Sequence, residues 1–271
     1  MSFIIKGGGV IINTSMAGNV QQATGGGAID PATLGENLTL WLDERDQYEV
    51  GAQVRWYNQG SRTHLTASDG AGINLKFNET INGYPALNLN QFGGLSPDWN
   101  SNPQQPLFSS NSYHIFTVFK YPAAGWSFSG ATYGNNAIFS HNNAGFGFFN
   151  FRYRFDLSLN LMYSYQQGTG DPYGGDFVYS NDTVVYNTPV LMESWYDGTN
   201  LNVRYGDGTV YSAARNPITS GINSYDFLVG RSPAAAITGS LATILVVSYS
   251  LDPSTQAGIR QYLGEKYNVA Y

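Results

Sequence analysis

Glu44, Asp46 and Glu49, in the run Glu44-Arg-Asp-Gln-Tyr-Glu49, are the residues whose types and spacing come nearest to chemistry. Two carboxylates on one bulged strand can flank a glycosidic bond, one as nucleophile and one as acid/base, about 5 Å apart in a retaining mechanism. Between them stand Arg45, Gln47 and Tyr48, polar residues that predict a solvated loop and not a core-packed catalytic strand. His64, His114 and His141 share no metal-ligand spacing. His114 falls within a strand pattern and is expected to be packed or hydrogen-bonded, and His141 to sit in a turn. No Ser/His/Asp arrangement can be picked out. Gly7–Gly9 and Gly25–Gly27 are not followed by a helix with Lys-Ser/Thr, so neither makes a phosphate loop. Catalytic residues are therefore expected to be absent.

Binding is better represented than catalysis. Trp126 and Tyr133 fall in one long connection, and Tyr163, Tyr165 and Tyr173 in a second. Sugars stack on such rings, and a subunit interface favours the same residue types. Calcium is the one cofactor the residue types allow, with Asp171, Asp176 and Asp182 as hard oxygen donors beside Asn181; ordinary turn positions are the competing reading.

The elements that must position these residues are strands. The chain of 271 residues is only 12% charged and carries 32 glycines and 20 tyrosines, a balance that favours an all-β surface over a helical enzyme. A net charge of −6 without a basic run argues against nucleic acid. No stretch approaches a membrane span. Without cysteine the fold has no disulfide and is held by its core.

Short strands recur at about ten-residue spacing from Leu38 onward, with Asn-Gly and Asp-Gly turns between them. Tyr113–Tyr121 alternates Ile115, Thr117 and Phe119 against His114, Phe116, Val118 and Lys120. Further strands are expected at 137–140, 145–154, 176–179, 183–186, 190–196, 201–205 and 209–212. One helix is expected near 253–264, capped by Asp252, opened by Pro253, and presenting Ile259, Tyr262 and Leu263 on one face. Residues 1–36 differ: eight glycines separate short apolar runs at Phe3–Ile5 and Val10–Ile12, which reads as an extended arm able to add strands to a neighbour. The expected domains are thus an arm over 1–36 and an antiparallel jelly-roll β-sandwich over 37–271.

The landmarks Leu40-Trp-Leu-Asp43, Val54-Arg-Trp56, Ile81-Asn-Gly-Tyr-Pro-Ala-Leu87, Tyr196-Asp-Gly-Thr199, Leu228-Val-Gly-Arg231 and Gly239–Val247 with the closing helix succeed one another in order. This succession resembles the concanavalin A-like lectin/glucanase superfamily in its laminin-G-like jelly-roll branch, as found in bacteriophage structural proteins. The resemblance implies that Trp41 and Trp56 fill the space between two sheets, that Asp197-Gly-Thr makes a tight hairpin, and that Gly239 permits close backbone approach. Many relatives carry a Glu three residues after that glycine, where this chain has Ala242 and Thr243. Laminarinase-type glucanases of the superfamily carry a Glu-x-Asp-x-x-Glu motif with apolar residues between the acids; here the spacing matches and the intervening residues do not.

The N-terminal run is split by Lys6 and glycines and is not a signal peptide, so the chain is expected to be made in the host cytoplasm and to act on a virion surface. The resulting expectation is a non-enzymatic phage structural protein, a capsid decoration or head-fibre subunit. It would bind other virion proteins through the arm and form a homo-oligomer, a trimer suiting a capsid lattice. The alternatives are a tail-fibre adhesin recognising a host glycan, and a β-glucanase using Glu44 and Glu49.

Overall fold

The computed structural model describes residues 27–50, 53–61, 65–67, 75–89, 94–97, 112–122, 136–142, 148–156, 159–166, 176–183, 185–214, 226–230 and 237–271. The strands are β1 (Leu38–Leu42), β2 (Gln47–Val50), β3 (Gln53–Trp56), β4 (Leu65–Ala67), β5 (Lys76–Ile81), β6 (Tyr84–Leu89), β7 (Leu95–Pro97), β8 (Tyr113–Lys120) and β9 (Asn136–Asn142). They continue with β10 (Phe148–Asp156), β11 (Leu159–Gln166), β12 (Asp176–Thr183), β13 (Pro189–Tyr196), β14 (Asn200–Tyr205), β15 (Tyr211–Ala214), β16 (Asp226–Val229) and β17 (Gly239–Val247). The helix α1 (Pro253–Tyr267) closes the chain. Two 3-10 turns, Pro31–Asn37 and Glu44–Asp46, flank β1.

The strands form two antiparallel sheets. One is eight-stranded in the order β15-β14-β13-β8-β17-β6-β5, with β1 pairing alongside β17. The other is nine-stranded in the order β12-β11-β10-β9-β16-β7-β4-β3-β2. Period-2 alternation sends one face of each strand between the sheets. On β8 the inner set is Tyr113, Ile115 and Phe119, and the outer set includes Phe116 and Val118. The inner core joins Trp56, Phe139, Val178, Phe227 and Val229 of the nine-stranded sheet to Leu87, Val203, Leu241 and Ile244 of the eight-stranded one. A second core lies on the outer face of the eight-stranded sheet, where Ile259, Leu263 and Tyr267 of α1 cover Trp41, Phe116, Val118 and Leu245. This explains why all nine residues of β17 are buried. It also corrects the expected place of Trp41, which packs edge-on against Tyr262 beneath the helix and not between the sheets. A strand buried on both faces gives a large residue two places to go.

Other expectations find their mechanism in local geometry. Asn82 (φ 50°) and Gly83 (φ 80°) turn the chain from β5 to β6. Asp197 Oδ1 accepts from the backbone N–H of Thr199 and of Asn200 to close the β13–β14 hairpin. Gly239 (φ 149°) lies so close to its neighbours that a Cβ would collide with Phe119 Cζ and stand 2.7 Å from the Lys120 carbonyl oxygen. Asp252 caps α1 by accepting from the backbone N–H of Ser254 and Thr255. The helix runs on to Tyr267, past the expected 264, and stops where Asn268 turns left-handed at φ 50°.

Four sequence readings shift in detail. The segment 44–49 is a 3-10 turn followed by β2, not a loop. Residues 159–166 are strand β11 and not part of a long connection. The strand expected at 176–179 runs on to Thr183 as β12, and Val185 and Tyr186, expected in a strand of their own, lie in the turn before β13. The strand expected at 209–212 lies at Tyr211–Ala214.

Residues 1–26 of the expected arm lie outside the described residues. Residues 29–37 lie on the sandwich: the Ile29 N–H donates to the Gly258 carbonyl at 3.0 Å, and Ile29 and Leu34 pack against the helix-side core.

Candidate functional site

The nine-stranded sheet turns its inner face to the core, and strand register identifies the positions on its other face. Val178 and Phe139 are buried in the inner core. Val178 pairs with Ser164, Ser164 with Phe151, and Phe151 with Phe139, so these four positions share the inner face. Tyr163 and Tyr165, one residue to either side of Ser164, therefore occupy outer-face positions. Tyr163 pairs with Tyr179 on β12 and Arg152 on β10; Tyr165 pairs with Phe177 and Asn150. The rows extend to β9, where Asn150 meets Ser140 and Arg152 meets Ala137.

Along β11 the usual polarity is inverted. Its outer positions hold Leu159, Leu161, Tyr163 and Tyr165, and its inner ones Asn160, Met162, Ser164 and Gln166. Two cross-strand rows thus bring the positions of Tyr163, Tyr165, Phe177 and Tyr179 into register with those of Arg152, Asn150 and Ser140. Cross-strand neighbours stand about 5 Å apart. This is the residue set that stacks a flat apolar ring and fixes its hydroxyls.

Of the five aromatic candidates, Tyr163 and Tyr165 thus come together on one strand, whereas Trp126, Tyr133 and Tyr173 lie outside the described residues. Of the calcium candidates, Asp176 opens β12 opposite Gln166, Asp182 falls near its other end, and Asp171 is outside the described residues. Burial pushes the Asp182 carboxyl up, against its hydrogen bond with Tyr211, and the nearby Asp207 pushes it the same way. Among the described residues no group of three or more His, Asp or Glu is placed to hold a metal.

The two acids of the catalytic reading have separate settings. Glu49 is in β2, opposite Val54, whereas Glu44 is in the 3-10 turn. Glu44 Oε1 lies 2.9 Å from Lys266 Nζ, and its Oε2 accepts from the Tyr267 hydroxyl at 3.1 Å. Beside it the buried Asp43 carboxylate accepts from Arg45 Nε at 2.8 Å, Gln59 Nε2 at 2.8 Å and Lys266 Nζ at 3.3 Å. Burial and the two carboxylates hold the Tyr267 phenol well above its ordinary pKa. These contacts bolt the end of α1 to the segment after β1.

A second polar cluster escaped the sequence reading. On the outer face of the eight-stranded sheet, the fully buried Glu193 of β13 faces Arg204 of β14 across the register. Its Oε1 accepts from His114 Nε2 at 2.6 Å, and its Oε2 from Arg260 Nη1 of α1 at 2.6 Å. Gln256 Nε2 of the preceding helical turn also donates to Oε1. Arg260 Nη2 donates to the Gly206 carbonyl at 2.6 Å. Burial alone would raise the Glu193 pKa, but the His114 hydrogen bond and the Arg260 charge bring it down to about 2. Burial lowers the His114 pKa, outweighing its bond to Glu193, and the two arginines lower it further. The ring is stacked between Phe116 and Trp195, and Nδ1 has no partner among the described residues. A neutral His114 leaves that nitrogen without a proton and needs no acceptor there. The only sequence signal for the cluster was His114 within an apolar strand.

The fold defined by these layers is an antiparallel jelly-roll β-sandwich. The chain matches no family model and no curated protein. Among solved structures it is similar to domain 4 of AbnA, a GH43 extracellular arabinanase from Geobacillus stearothermophilus, seen with arabinotriose. That match has a TM-score of 0.59 and 13% identity and covers 82% of this chain and 97% of that domain. It is also similar to the binding domain of botulinum neurotoxin serotype G, with a TM-score of 0.52 and 13% identity, covering 83% of this chain and 51% of the other. Trypanosoma rangeli sialidase in complex with a difluoro-KDN compound gives a TM-score of 0.54 and 10% identity, covering 90% of this chain and 37% of the enzyme. This chain therefore spans about half of the toxin domain and about a third of the sialidase.

Proposed function

We propose that this domain is a non-enzymatic glycan-binding module whose ligand lies across β10, β11 and β12 on the outer face of the nine-stranded sheet. The observation that carries the reading is the inverted polarity of β11, which sets Tyr163 and Tyr165 in register with Tyr179, Phe177, Asn150 and Arg152 away from the core. A sheet that only had to fold would place polar residues there. The arabinanase domain, which has this architecture and is seen with a bound trisaccharide, supports the reading by analogy of fold.

The absence of catalysis is part of the proposal. Glu44, the nucleophile of the enzymatic alternative, is engaged by Lys266 and Tyr267 in holding the helix. The setting we favour is a bacteriophage virion. It rests on the sequence: a cysteine-free, tyrosine-rich chain of low charge with a glycine-rich first segment. Mass spectrometry of separated heads and tails would distinguish a head decoration from a receptor-binding fibre.

Binding of the purified full chain to a printed glycan array tests the function. We expect retention of a defined subset of oligosaccharides, lost in Tyr163→Ala/Tyr165→Ala. Retention of none would overturn the proposal.

A further inference from the structure

The outer face of the eight-stranded sheet has a margin beyond the helix. Gln256 and Arg260 of α1 reach down to Glu193 on β13, and β14 and β15 are the two strands outside it. Leu201 and Val203 of β14 belong to the inner core, so Asn202 and Arg204 stand on the outer face. Register sets Arg204 opposite Glu193, and Asn202 between Trp195 and Ser212. Arg204 is thus diagonal to Trp195, at about 7 Å.

Arg204 is a half-buried cation without a counter-ion. Among the described residues its guanidinium makes no hydrogen bond or ion pair, and its Nε is closed to solvent with no partner. The acids around it are engaged elsewhere. Both Glu193 oxygens are taken, one by His114 and Gln256 and the other by Arg260. Asp197, in the β13–β14 hairpin, accepts from the N–H of Thr199 and Asn200 and from Asn202 Nδ2. Asp207 is exposed beyond the end of β14, on the side of Asp182. With His114 neutral, Arg204 and Arg260 against Glu193 leave one positive charge over. Burial and the Arg260 charge lower the Arg204 pKa, outweighing the pull of Glu193. An arriving anion would offset both effects.

The second component is aromatic. The parallel stack Phe116–His114–Trp195 ends at Trp195, which is partly exposed. Its second face meets no other ring among the described residues. Beyond it the outer positions of β15 are Ser212 and Ala214, both exposed and small.

We propose that Arg204 and Trp195 form a second binding site, on the opposite sheet from β11, for a sugar acid: the guanidinium takes the carboxylate and the free side of the indole takes the apolar face of the sugar ring. A guanidinium offers a planar pair of N–H donors that matches a carboxylate and not a lone hydroxyl. A sugar ring continues the aromatic stack where the protein's own rings stop. The site does not depend on the β11 face. Built from one charged pair and one ring, it should bind in the millimolar range, too weak for retention on a washed array.

The test is titration calorimetry of the full chain with galacturonate and N-acetylneuraminate, each against its methyl ester, with acetate as the bare anion and polyglutamate as a non-sugar polyanion. At least one sugar acid should bind about fivefold or more tighter than its ester, as a charged hydrogen bond implies. Arg204→Gln should erase that margin and melt at or above the wild-type temperature, because it removes an unpaired cation. Lys76→Gln, which removes an exposed charge on β5, should leave the margin unchanged. Equal binding of acid and ester would overturn the proposal, as would a margin that survives Arg204→Gln. Acetate or polyglutamate matching the best sugar acid would overturn it as well. So would a marked fall in the melting temperature of Arg204→Gln, which would show that Glu193 already serves as the counter-charge.

Discussion

His114 Nε2 stands 2.6 Å from Glu193 Oε1 in a site closed to solvent on both sides, with Arg260 of the helix completing the cluster from above. An inner strand, its neighbour and the C-terminal helix are thereby joined through one carboxylate.

Acid should weaken the fold in two stages. His114 has a folded pKa below its ordinary 6.5, so below about pH 6.5 the unfolded chain takes up a proton that the folded chain refuses. Glu193 is lowered from 4.5 to about 2, so a second proton difference opens below about pH 4.5 and closes only near pH 2. Both groups contribute stability that is present above their unfolded pKa and lost on acidification. Each open window gives a slope of about 1.4 kcal/mol per pH unit. Urea midpoints should hold near neutral pH and fall on descending through this range, and His114→Gln should remove the upper stage. A midpoint that stays level from neutrality to pH 4.5 would contradict the assignment.

Breaking the cluster on one side should cost more than removing it. Glu193→Gln leaves Arg260 buried without its counter-charge, a loss of about 3–5 kcal/mol. Glu193→Leu combined with Arg260→Leu should cost less than the sum of the two single changes, as expected for partners in one network. Additive losses in chemical denaturation would show that the two side chains act independently.

Gly239→Ala should destabilise by about 3 kcal/mol, because the added methyl meets the Lys120 carbonyl as well as the Phe119 ring and the φ of 149° disfavours any side chain. A melting temperature equal to wild type would contradict the close approach of β17 to β8.

Truncation should distinguish residues 1–26 from residues 27–37. A chain beginning at residue 27 keeps Ile29 and Leu34 on the helix-side core, and should unfold at the full-length midpoint. A chain beginning at residue 38 loses both, together with the buried Pro31, and should fall by about 2 kcal/mol or more. Equal midpoints for the two truncations would mean that residues 29–37 add nothing to the fold.

Many of the strands and the closing helix were legible because their signals are local. Examples are the alternation on β8, Asn82-Gly83 at a hairpin, and Asp252-Pro253 at a helix start. Trp41 was misplaced because β1 is covered on both faces, so its apolar run carries no direction. The partnership of Glu193 and Arg260 was invisible because it joins residues 67 apart and depends on which face of β13 the helix covers. The site was half legible. Tyr163 and Tyr165 were named for their residue type, but β11 reads as a connection when its larger apolar residues occupy the unexpected face. Their neighbours Tyr179, Phe177, Asn150 and Arg152 emerge only from the register of three strands.

The central claim is that β11 presents the binding face. Take the strongest sugar from the array and titrate it into three full-length proteins: wild type, Tyr163→Ala/Tyr165→Ala, and Tyr249→Ala, whose tyrosine packs against the helix-side core. Losing ring stacking should weaken the first variant by about tenfold or more, with the second unchanged. Undiminished binding by Tyr163→Ala/Tyr165→Ala would contradict the claim.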